Sequence, residues 1–212
     1  MRLSLMLPLL LACSFAAGVP GRSSAGVPNA STSSVPPILT ACPMGDLTYV
    51  VTVRDAGMNP VPNAHVSLDF SDCPNIHFCP TTPPPAYVFE TPTTIALNAG
   101  ALGQAVFYLE AGGTCSGAIQ IYADGVLLTD GTAHPLVTVA NADQTGDAVV
   151  SAEDAALLAA KPANDPTADL NGDGIHDTAD ETLMAAHLGH LCPGLATPNS
   201  RRSWGGLKLI YR

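Results

Sequence analysis

Between Leu47 and Arg54 the side chains alternate along an extended chain, Leu47, Tyr49, Val51 and Val53 on one face and Thr48, Val50, Thr52 and Arg54 on the other. A period of two is the mark of a half-buried strand. It recurs where Ala64, Val66, Leu68 and Phe70 are separated by His65, Ser67 and Asp69. Further short apolar runs at 86–89, 93–97, 104–109, 118–123 and 135–139 predict more strands, divided by Gly- and Pro-bearing turns. Asp124-Gly125 lies between two such runs, and Asp-Gly suits a two-residue hairpin because both positions take positive φ. Short strands at this spacing predict an antiparallel β-sandwich over 41–140.

Beyond residue 140 the period changes. Leu157 and Leu158 follow Asp154, and Leu183 and Met184 follow Asp180, at the spacing of two amphipathic helices. Each helix is preceded by a loop of twelve residues rich in oxygen side chains, and 141–192 carries 10 of the chain's 18 acidic residues. The first loop places Asp143, Thr145, Asp147, Val149 and Asp154 at positions one, three, five, seven and twelve. The second places Asp169, Asn171, Asp173, Ile175 and Asp180 there, 26 residues later. A hard cation such as Ca²⁺ takes six or more oxygens, and this spacing offers side-chain oxygens, the backbone carbonyl of Val149 or Ile175, and a closing carboxylate from the helix. Two Ca²⁺ sites are therefore expected. Gly174 allows the sharp turn at position six, whereas Ala148 stands there in the first loop and predicts weaker or strained binding.

The chain ends alter the picture. Met1-Arg2 precedes a short apolar run from Leu3 to Ala12, the form of a secretory leader over 1–17 and too short to span a bilayer. Two processing readings stand, cleavage after the small-x-small Ser14-Phe15-Ala16, or lipoprotein processing with acylation at Cys13. Residues 18–40 are rich in Ser, Gly, Pro and Ala and are expected as a flexible linker. Residues 193–212 read as a linker and a basic tail, with four of the eight cations and the single Trp. That tail is a candidate for self-association.

Charge excludes one class of partner. The formal net charge is -10, and only Lys161 is basic between Asp55 and Ser200, which rules against nucleic acid. Only 12% of residues are charged, so the surface is built from small polar residues, as suits an exported chain. In an oxidising compartment Cys73–Cys79 and Cys42–Cys115 are expected to pair, leaving Cys192 free or intermolecular. The zinc-like run Cys73, His77, Cys79 offers three ligands at most. His187, His190 and Cys192 could hold a soft metal, but capping or solvent exposure is the expected role of both histidines. Gly113-Thr-Cys115-Ser-Gly117 spells a hydrolase elbow, yet a strand follows where a helix is required. No catalytic constellation is legible, and no enzymatic activity is expected.

Two resemblances follow from these motifs. Val53 to Val66, with Asp55, Gly57, Asn59, Pro60 and Pro62, resembles the opening hairpin of bacterial immunoglobulin-like domains of the invasin and carboxypeptidase-regulatory kind, and Gly103 to Phe107 resembles a later strand of them. The tandem loop-helix units resemble a type I dockerin. The implied fold class is mostly β, an immunoglobulin-like antiparallel β-sandwich followed by a small α-helical dockerin-like module with two calcium loops. The resemblance implies a secreted or cell-surface protein that docks onto a cohesin-like or other surface protein. A structural matrix role in which calcium only stabilises the fold is the second class, and a hydrolase accessory protein the third. The Ser-Thr pair that dockerins present to cohesin is Ala152-Glu153 in one unit and Thr178-Ala179 in the other, and His176 takes a place usually aliphatic, so docking is the weaker part of the inference.

Overall fold

The computed structural model describes residues 26–80 and 86–193, so the leader, the Thr81–Pro85 loop and the basic tail lie outside the described residues. The described chain is mostly β. In order it forms β1 (Ile38–Ala41), β2 (Thr48–Thr52), β3 (His65–Asp69), β4 (His77–Phe78), β5 (Val88–Thr91), β6 (Thr94–Asn98), β7 (Gln104–Tyr108), β8 (Ala111–Gly112), β9 (Cys115–Ala123), β10 (Val126–Leu127) and β11 (Val137–Asn141). Two helices follow, α1 (Ala152–Ala159) and α2 (Thr178–His187).

One sheet runs β1-β11-β9-β3-β6-β5, with β10 paired to the end of β9; β2–β7 and β4–β8 form two-stranded sheets. The alternation read from sequence is met in β2, where Tyr49 and Val51 are buried, in β3 at Val66 and Leu68, and in β7 at Ala105 and Phe107. These side chains share one core with Ile95, Ile119, Ile121, Val137 and Val139 of the large sheet. The β9–β10 hairpin turns at Asp124 (φ 46°) and Gly125 (φ 79°), as the Asp-Gly pair predicts. Phe70, Phe78, Phe89 and Tyr87 form a chain of edge-to-face contacts with centroids 5.2–5.7 Å apart, carrying the core out to the edge strand β5.

The reading of 18–40 as linker fails over its last part. β1 pairs in parallel with β11, Ile38 opposite Thr138 through Ala41 opposite Asn141, within an otherwise antiparallel sheet. Every residue of both strands is buried. Leu39, Ala41, Val137 and Val139 face the β core, whereas Ile38, Cys42, Ala140 and Ala142 join Val150, Leu158, Ala168, Leu170 and Met184 in a second core. A strand buried on both faces shows no alternation, which is why this one escaped the pattern. The expected boundary at 140/141 therefore falls inside β11, and the helical part borrows the back of the β sheet to complete its core.

The cysteine pairing expected from sequence is overturned. Cys73 bonds Cys115 and Cys79 bonds Cys192, with Cα atoms 5.5 and 5.2 Å apart. The spacing of six misleads because extended β4 lies between Cys73 and Cys79 and carries Cys79 toward Glu110, whose carbonyl accepts its N–H. Cys42 is a buried free thiol, and burial pushes its pKa up to about 12. Two disulfides mark folding in an oxidising compartment. No helix among the described residues is long and apolar enough to cross a membrane.

Candidate metal centres

Both acidic loops fold to the same local design. In the first, Asp143 Oδ1 accepts the Gly146 N–H (2.7 Å) and the Thr145 hydroxyl (3.1 Å), and Oδ2 accepts the Ala148 N–H (2.7 Å). In the second, Asp169 Oδ1 accepts from Gly172 (2.7 Å) and Asp173 (3.1 Å), and Oδ2 from Gly174 (2.7 Å). Position five folds back likewise, Asp147 Oδ1 onto Val149 N–H at 3.0 Å and Asp173 Oδ1 onto Ile175 N–H at 3.1 Å. The repeat extends to the backbone: Gly146 and Gly172 have φ of 76° and 75°, and Ala148 and Gly174 have φ of 73° and 97°.

The twelfth-position carboxylates tie loop to helix. Asp154 Oδ1 accepts the Thr145 N–H (2.8 Å), while Oδ2 accepts the Ser151 N–H (2.7 Å) and hydroxyl (2.9 Å). Asp180 Oδ1 and Oδ2 accept from Asn171 (3.0 Å) and Asp177 (2.8 Å). Each is thus the third helical residue of a capping box whose N-cap is Ser151 or Asp177. The sequence carries that signal, a hydroxyl or Asp followed three residues later by Asp, within the same residues that set the loop spacing.

The site residues divide by exposure. Asp143, Asp154, Asp169 and Asp180 are buried; Thr145, Asp147, Asn171, Asp173 and Ile175 face solvent and Val149 is half-buried. In the first loop carboxylate oxygens of Asp143, Asp147 and Asp154 lie within 4.8 Å of one another. Asp169, Asp173 and Asp180 of the second do not converge to that distance, and Asp173 Oδ2 accepts instead from the Asn171 amide at 2.9 Å.

The field around the loops is strongly negative. Burial raises the Asp143 and Asp169 carboxyls above the ordinary range, against the pull of their backbone N–H partners, and Asp154 and Asp180 add like charge. Burial also opposes ionisation of Asp154, but the Thr145 and Ser151 N–H groups and the Ser151 hydroxyl outweigh it and hold that group low. Lys161 reaches Gln144 within the first loop and the Thr167 hydroxyl before the second; burial lowers its pKa. The donor set is oxygen throughout, the chemistry of a hard dication.

His176, where Val150 sits in the first unit, is buried, donates its backbone N–H to Ala163 O at 2.8 Å and leaves Nε2 without a partner. The elbow cysteine Cys115 opens β9 in a disulfide, and Cys73, Cys79 and Cys192 are likewise bonded, which removes the zinc run and the His187, His190, Cys192 set. No protein-family model matches the chain, and neither a curated protein nor a solved structure matches it.

Proposed function

We propose that this is an exported, non-catalytic calcium-binding protein in which residues 143–154 and 169–180 each hold one Ca²⁺, and calcium rigidifies the helical part against an immunoglobulin-like β part. The observation that carries the reading is the repetition, 26 residues apart, of one loop with the same hydrogen bonds to positions one, five and twelve. Hydrogen bonds from the backbone orient those carboxylates, and a dication relieves the repulsion among Asp143, Asp147 and Asp154. Both readings of the leader, cleavage after Ala16 and acylation at Cys13, would put the protein outside the cytoplasm. Its disulfides fit that location.

Titration calorimetry tests the metal on the full chain, since the second core draws on Ile38, Cys42, Ala140 and Ala142. Extracellular sites of this kind bind at roughly 10⁻⁴ to 10⁻³ M, and hundredfold excess ligand over Kd adds ~2.7 kcal/mol of stability. Two sites are expected, Asp147→Ala and Asp173→Ala each removing one. A flat titration at millimolar Ca²⁺ overturns the assignment.

The docking reading has its own observation. Leu188, 46% exposed, lines a groove between α1 and α2 together with Ala155, Leu158, Met184 and Ala185. That contiguous apolar lining suits a protein partner of cohesin-like type. Capture of a secreted partner with Ca²⁺, together with its loss in chelator and in Leu188→Asp, separates docking from a purely structural role.

A further inference from the structure

The chain brings together four donors that no sequence motif joins. Cys42 Sγ, an Asp46 carboxylate oxygen and nitrogens of His187 and His190 lie within 4.8 Å of one another. Cys42 and Asp46 follow β1, His187 ends α2 and His190 lies in the turn beyond it, so Cys42 and His190 are 148 positions apart. We propose that these four side chains form a closed site for a transition-metal dication, Zn²⁺ by chemistry, that clamps the end of α2 to the β sheet.

The spacing fits an ion of that size. A tetrahedral ion with bonds of about 2.3 Å to sulfur and about 2.0–2.1 Å to nitrogen or oxygen sets S···N edges of about 3.6 Å and N···O edges of about 3.4 Å. The structure holds Cys42 Sγ to His190 Nδ1 at 3.5 Å, His190 Nδ1 to Asp46 Oδ2 at 3.3 Å and His187 Nε2 to Asp46 Oδ2 at 3.4 Å.

The outer contacts orient the ligands. His187 Nδ1 lies 2.6 Å from the Leu183 carbonyl, which can only accept, so Nδ1 carries the hydrogen. With Nδ1 engaged there, Nε2 is aimed at the Asp46 carboxylate 3.4 Å away, where one metal ion would bridge the two, and a carbonyl holding the far nitrogen of a ligating imidazole is the usual support. Cys42 is fully buried and the His187 side chain is 10% exposed, whereas Asp46 is 42% exposed and leaves a way in from solvent.

Thiolate and imidazole set this site apart from the oxygen-only loops: soft and borderline donors select Zn²⁺ over Ca²⁺. Binding replaces the Cys42 S–H bond by Zn–S and releases one proton to solvent, with no change of oxidation state. Cys79 Sγ lies 3.4 Å from the Pro43 carbonyl, so the Cys79–Cys192 bond sits beside the same corner.

Co²⁺ is the probe. The full chain, disulfides formed, is stripped with chelator, returned to excess Ca²⁺ and titrated with Co²⁺, then Zn²⁺. One equivalent of Co²⁺ should give a thiolate-to-metal charge-transfer band with intense tetrahedral visible bands, bleached by one equivalent of Zn²⁺. Cys42→Ser should abolish the charge-transfer band, and Asp46→Asn and His190→Ala should weaken Zn²⁺ by at least about tenfold, the lower end of what loss of a mere supporting contact costs. Should Cys42→Ser fail to fold, His190→Ala with an unchanged far-ultraviolet spectrum carries the decision. Absence of the band in the folded wild type, or its survival in Cys42→Ser, overturns the site.

Discussion

Ala148 stands at φ 73°, where its counterpart is Gly174 at 97°. A side chain there costs about 1–2 kcal/mol, and glycine returns about 0.5–1 kcal/mol of that as lost freedom on folding. The difference favours glycine. Ala148→Gly should raise stability by about 0.5–1 kcal/mol in chelator, read by urea denaturation, and should tighten the first Ca²⁺ site; Gly174→Ala should do the reverse. A loss on Ala148→Gly would show that the methyl packs usefully. Asp55, in the turn after β2, gives a pH signature. The Asn59 backbone N–H and side-chain amide, with the Gly57 N–H, hold its carboxyl below the ordinary value. A depressed carboxylate stabilises the fold above its unfolded pKa, and that contribution is lost as pH falls through the folded value. NMR titration should find the Asp55 midpoint below an ordinary aspartate's, and a midpoint at or above it refutes the turn as drawn.

At the scale of elements, α1 and α2 are eight and ten residues long, too short to persist alone in water, and depend on their caps and on the second core. Ser151→Ala removes the acceptor for the Glu153 N–H and should cost about 1 kcal/mol in thermal or urea unfolding. An unchanged midpoint would mean that Asp154 caps the helix unaided. The elements differ in how far they could be read beforehand. β2, β3 and β7 were legible because one face is wet, and the acidic loops because their ligands lie within twelve residues. β1 was not, since burial on both faces erases its alternation and a Ser- and Pro-rich stretch precedes it. Two-residue β4 and β8 are too short to carry a period. The disulfides and the Cys42, Asp46, His187, His190 cluster depend on which distant segments meet, and only the folded topology supplies that.

For the whole molecule the question is whether β and helical parts melt as one. β11 feeds both cores, and Leu158, Leu170 and Met184 are fully buried against the back of β1 and β11, each worth about 1.5–3 kcal/mol. The Cys79–Cys192 bond then joins positions 113 residues apart. A chain-entropy estimate for a loop of that order is about 4.7 kcal/mol, and measured bonds more commonly give 2–4 kcal/mol. Shared packing and cross-link act on the same boundary, so calorimetry of the full chain should show a single transition in which helical and β signals vanish together. Leu170→Ala should lower stability by about 2–5 kcal/mol and move both signals. Replacing Cys79 and Cys192 together with Ala should lower it by about 2–4 kcal/mol while the transition stays single, because the packing remains. Two separate transitions in the wild type, or a Leu170→Ala variant that melts its helices and leaves the β signal in place, would mean that the helical part folds by itself and that the second core is only an interface between independent domains.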